Sequence, residues 1–150
     1  MSVWCGRVAA SRSASSLCCL WMVCLAVACM SPEVAFNSPD LIAIPDGSFG
    51  GSDAYCDMTT VPQLRIVIQN QGQGNASPST TRVVFSPGGT KDVPTSAIPS
   101  GQHVMLAPVS IPKTCFDPDC DFTITVDSKA QIDEDIGESN NVVDGRCIQP

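Results

Sequence analysis

Between Asp40 and Cys147 the apolar residues fall at alternate positions in short runs, and no stretch sustains the spacing of an amphipathic helix. Gln63–Gln69 places Leu64, Ile66 and Ile68 on one face, and Thr81–Phe85 points Val83 and Phe85 inward. Asp121–Asp127 alternates most cleanly, with Phe122, Ile124 and Val126 on one side and Thr123 and Thr125 on the other. Asp40–Ile44 opens the series, Asp92–Val93 reads as a short edge strand closed by Pro94, and Asn141–Val143 begins the last strand. Gln102–Ile111 changes face midway: Val104 and Leu106 share one side, Val109 and Ile111 the other, and Pro108 at the switch predicts a bulge or bend. Gly, Pro, Asn and Ser punctuate the runs. The pattern predicts an all-β, antiparallel two-sheet sandwich of about seven strands.

The first 28 residues follow a different pattern. Arg7 and Arg12 are the only charges before Glu33, and they precede the apolar run Leu17–Ala28. A basic start, an apolar core and a small-residue exit describe a secretory signal peptide, and the run falls short of the roughly 20 apolar residues of a membrane span. The chain therefore divides into a leader at 1–28, a Ser/Pro/Asn-rich tether at 29–39 and a domain at 40–150. The exit Leu25-Ala-Val-Ala-Cys29 resembles the bacterial lipobox, with Ala26 where that pattern usually has Leu. The resemblance implies cleavage before Cys29 and a diacylglycerol anchor on its sulfur, firm enough to hold a protein when several acyl chains share one residue. Ordinary cleavage near Ala28 is the alternative. The expected location is outside the cytoplasm: an outer-membrane or cell-surface lipoprotein, or a periplasmic or secreted protein.

Charge narrows the partners. Loss of Arg7 and Arg12 with the leader takes the formal net charge from −7 to −9. So acidic a surface disfavours nucleic acid, whose phosphates are neutralised by Lys and Arg, and it disfavours anionic head groups, leaving the lipid as the expected membrane contact. Beyond Cys29 the cysteines are Cys56, Cys115, Cys120 and Cys147, which in an exported chain read as two disulfides with three connectivities open. If the strands alternate up and down, all four fall at one end of the sandwich. The short loop from Cys115 to Cys120 suits a local bridge, leaving Cys56 with Cys147. A zinc site is the rival, but Cys-x4-Cys is a poor zinc spacing.

The stretch Val67-Ile-Gln-Asn-Gln-Gly-Gln-Gly-Asn-Ala76, followed by Arg82-Val-Val-Phe-Ser86, resembles the CARDB family, the "cell adhesion related domain found in bacteria". So does the ending Ile124-Thr-Val-Asp-Ser128 with Ile132, Glu134, Glu138, Asn140 and Asn141. The likeness runs from about residue 39 to 148 and implies an immunoglobulin-like sandwich of fibronectin type III character, extracytoplasmic placement, and a role in adhesion or as a spacer. Independently of the family, Asn70-Gln-Gly72 and Gly74-Asn75 are residue types that tolerate positive φ, as a tight connection between strands requires.

No catalytic motif surrounds a serine, no Gly-rich loop follows a strand, and the lone His103 sits on a strand facing solvent, so enzyme activity and an organic cofactor are not expected. Tyr55, Phe49 and Phe116 could gather near the cysteines as a sugar platform, although packing is the commoner use of such residues. Asp133, Glu134, Asp135 and Glu138 form an acidic segment that fails the EF-hand spacing and stands as a weak calcium (Ca2+) candidate. The plain alternative is a solvated hairpin, turned at Gly137 and capped by Asn140 and Asn141 through side-chain to backbone bonds. The function these residues suggest is a non-enzymatic surface adhesion or protein-interaction module with an unidentified protein or surface ligand, or else a structural spacer or accessory subunit of an envelope assembly. A calcium- or carbohydrate-binding module is a lesser alternative.

Overall fold

A computed structural model describes residues 37–47, 54–135 and 137–149. The leader, Cys29, most of the tether and Phe49 lie outside them. Ten strands follow one another: β1 (Leu41–Pro45), β2 (Cys56–Asp57), β3 (Gln63–Leu64), β4 (Ile66–Asn70), β5 (Ser79–Ser86), β6 (Gly89–Thr95), β7 (His103–Met105), β8 (Val109–Ser110), β9 (Cys120–Thr125) and β10 (Val142–Cys147). Short 3-10 turns occupy Lys113–Cys115 and Gly137–Asn140.

The strands make two layers. One is the four-stranded sheet β10-β9-β5-β6; the other joins β1-β4-β7 to β2-β3-β8. The second layer is one sheet in two pieces, because only Arg65 separates β3 from β4 and only Leu106–Pro108 separates β7 from β8. All pairings between strands are antiparallel. The strands expected from alternation are therefore present, and β2 is an addition that its two residues were too short to announce.

The expected bulge is real. Leu64 pairs with Val109 and Val67 with Met105, so three steps along one strand oppose four along its neighbour. The extra residue lets both Leu106 and Val109 reach the core, at 5% exposure each. Leu64, Ile66, Ile68, Val83, Phe85, Phe122, Ile124 and Val126 all point into the same core from the two layers. Packing of this kind supplies most of the folding free energy, about 25 cal/mol per Å² of apolar surface buried. Edge strand β6 is longer than expected, and it accommodates Pro94, opposite Thr80, because its outer side has no ladder to complete.

Both disulfides lie at one end. Cys56 bonds Cys147, tying β2 in one layer to β10 in the other, and Cys115 bonds Cys120 across its short loop. Cys120 and Cys147 are themselves register partners, so the two bridges meet at the end of β9 and β10. Tyr55 is core, not surface: its ring meets Phe122 edge-on at 6.0 Å and its hydroxyl donates to Ala43 O at 2.9 Å.

Candidate functional site

The opposite end carries the residues of the distinctive sequence motifs. Here β1 begins, β4 ends and β10 begins, with the 126–141 connection wrapped beside them. Asn70, the last residue of β4, is fully buried, and its side chain is a hub. Its Oδ1 accepts from Asp40 N and Gly72 N, each at 3.1 Å. Its Nδ2 donates to Gly74 O at 2.8 Å and Ile98 O at 3.0 Å. Main-chain bonds from Gly74 N to Ser38 O and from Gln71 N to Asp40 O stitch the entering chain to the same loop.

This corrects the reading of Asn70-Gln-Gly72 and Gly74-Asn75 as positive-φ turn residues. None of them adopts positive φ. The glycines are needed for close approach: a Cβ on Gly72 would stand 2.5 Å from Asp40 N and Ser38 O, and one on Gly74 would overlap the Asn37 carbonyl oxygen. The missed signal was the position of Asn70 on the same face of β4 as Ile66 and Ile68, which turns its polar side chain into the core.

The acidic connection is not simply a solvated hairpin. Ile132 and Glu134 face inward at 7% and 1% exposure, while Asp133 and Asp135 are exposed. Asp133 Oδ1 accepts from Asp135 N, a local turn. Glu134 Oε2 accepts from Leu41 N at 2.9 Å, so the acid reaches across to secure the first strand. With its amide nitrogen toward β1, Asn141 donates to Leu41 O at 2.6 Å and lies 3.2 Å from both Glu134 Oε2 and Asn140 Oδ1. Asn140 Nδ2 donates to Asp40 Oδ1 at 2.9 Å. The Asn pair thus fastens β1, where capping of its own turn had been expected; Gly137 opens the 3-10 turn that delivers it. Burial pushes the Glu134 carboxyl above the ordinary 4.5; the Leu41 N–H and Asn141 amide pull it back, and Glu138 and Asp40 add to the rise.

Of the four acids that the sequence offered as a calcium set, Glu138 acts on the buried Glu134, while Asp133 and Asp135 are exposed. Among the described residues no three His, Cys, Asp or Glu side chains form a ready metal cluster. His103 is exposed on β7 opposite Gln69. At the cysteine end a shallow groove of about 450 Å³ is lined by Met58, Val61, Pro62, Ile111 and Phe116, with Lys113 at its side. Phe116 packs partly against the core there, and Tyr55 is buried, so the described part of the aromatic trio does not form an exposed platform.

The comparisons agree with this architecture. The CARDB family model matches residues 38–144. The chain belongs to the CARDB family. Its match spans the hub at Asn70, the acidic connection and the Asn pair. A solved CARDB domain from Pyrococcus furiosus, described as a complex with di-metal ions, superposes with a TM-score of 0.54 at 15% identity, covering 77% of this chain and 92% of that one. At that identity the likeness carries the fold alone. No curated protein matches the chain. CARDB domains are adhesion-related modules of immunoglobulin-like build, and this chain is one of them.

Proposed function

We propose that the protein is an exported, non-enzymatic CARDB module that binds other proteins at the cell surface, tethered by a lipid on Cys29. The observation that carries this reading is the Cys56–Cys147 bond between the two layers of a CARDB sandwich, since such a staple persists in an oxidising compartment and not in the cytosol. The lipobox-like exit before Cys29 supports the tether. The chain enters the domain at the hub end, where Ser38–Asp40 is sewn to the Asn70 loop, so a rigid body follows directly on the tether. Edge strands β6 and β10 leave backbone groups that a partner strand can pair with.

Mass spectrometry of the protein isolated from its source cells tests the reading. The expected species begins at Cys29, carries a diacylglycerol mass, and has no free thiol at Cys56, Cys115, Cys120 or Cys147. A chain still beginning at Met1, with those four thiols reduced, overturns it.

A further inference from the structure

Glu134 is a costly residue to bury, and its surroundings do not complete its bonding. The side chain is 1% exposed, yet Oε1 has no hydrogen-bond partner. A buried carboxylate oxygen left this way forfeits solvation without return. Among the described residues the ion pairs join Arg65 to Asp46, Arg82 to Asp92 and Arg146 to Asp121, and none includes Glu134.

What does surround Glu134 is oxygen. Its own Oε2, the Leu41 carbonyl and Asn140 Oδ1 lie 3.2, 2.6 and 3.2 Å from one end of the Asn141 amide, and Glu138 Oε2 lies 3.5 Å from the other end. Spacings near 3 Å between oxygens are those found around a hard cation held at 2.3–2.6 Å, which takes carboxylates, amide and main-chain carbonyls and water together. Turning the Asn141 amide exchanges a nitrogen for an oxygen in the gap between Leu41, Asn140 and Glu134. The Glu134 carboxylate, the Asn140 and Asn141 amide oxygens and the Leu41 carbonyl would then converge from the start of β1, the 126–141 connection and the entry to β10, with Glu138 at the far end of the Asn141 amide.

We propose that this end of the domain binds a divalent, oxygen-seeking cation of the calcium class, with Glu134 as the carboxylate ligand and Asn140, Asn141 and the Leu41 carbonyl completing the protein's share. Asp40 is held by Asn140 and by Gln71, whose Nε2 donates to its Oδ2 at 2.9 Å, and so stays outside the first set of ligands. Asp133 and Asp135, the most conspicuous acids of the segment, take no part, because they face solvent. The ion would fasten β1 in one layer to β10 and the 126–141 connection in the other, at the end that has no disulfide.

The test is calcium titration of the lipid-free domain from residue 30 onward, read by calorimetry and by thermal melting at matched ionic strength, with magnesium as a parallel arm. The expected result is saturable heat with half-saturation between about 0.1 and 1 mM, the range of extracellular calcium modules, and a melting temperature that rises with calcium. Glu134→Gln and Asn140→Ala each lower the affinity at least tenfold; Asn140 is only half-buried, so its variant folds even if that of Glu134 does not. Asp133→Asn with Asp135→Asn leaves the affinity unchanged. Absence of heat and of any melting shift in the unmodified domain overturns the proposal. So does retention of the response in Asn140→Ala, or its loss in the Asp133/Asp135 variant, which would place the ion on the exposed acids.

Discussion

Replacing Asn70 by alanine strikes the hub that joins the entering chain to the sandwich. Four hydrogen bonds disappear together: those received from Asp40 N and Gly72 N, and those given to Gly74 O and Ile98 O. The side chain is at 0% exposure, so water does not replace it without opening the loop. At a net value of about 1 kcal/mol for each bond, the loss is about 4 kcal/mol, a large part of the 5–15 kcal/mol that holds a typical domain. Equilibrium urea denaturation followed by circular dichroism measures it as a drop in the midpoint with an unchanged slope. Gln71→Ala is the control, because its one side-chain bond, to Asp40 Oδ2, is exposed and worth a few tenths of a kcal/mol. If Asn70→Ala costs less than about 1 kcal/mol, or no more than Gln71→Ala, the hub argument is wrong.

The bridges should differ in weight. Cys56 and Cys147 are separated by 91 residues and Cys115 and Cys120 by 5, so chain entropy predicts losses of about 4.6 and about 2 kcal/mol for the paired alanine variants. Equal losses in urea would refute that ranking. Asp57 accepts from Gln63 Nε2, Thr59 Oγ1 and Thr59 N, and these bonds, Gln63 first, hold its carboxyl below the ordinary 3.8. A depressed folded-state value means stability present above the unfolded value and lost as pH falls through the folded one. Melting temperatures measured from pH 5 downward should therefore fall less steeply in Asp57→Asn than in the parent. Ala130 adopts a φ of 48°, so Ala130→Gly should stabilise by about 0.5 kcal/mol or leave stability unchanged; a clear destabilisation in the same assay would contradict it.

Much of the fold was legible because strand alternation is a local signal. Leu64, Ile66 and Ile68 announced one buried face, and the change of parity around Pro108 announced the bulge, each from residues adjacent in sequence. Strand direction brought the four cysteines to one end, and the short loop from Cys115 to Cys120 suggested the local bridge that the structure has. The hub end was less legible, since its meaning depends on partners far along the chain. Glu134 meets Leu41 across 93 residues and Asn140 meets Asp40 across 100, and nothing in the acidic run itself says which of its members turns inward. Gly72 and Gly74 looked like turn residues for the same reason: the backbone that crowds them belongs to Asn37–Asp40.

That the domain works at the cell surface by holding another protein is tested most directly by cross-linking intact source cells with a reagent that does not cross membranes. Digestion and mass spectrometry should then recover Lys91, Lys113 or Lys129 joined to a residue of another envelope or surface protein, reproducibly and at defined positions. Recovery of the protein only after lysis, with no lysine of the domain modified in intact cells, would contradict it.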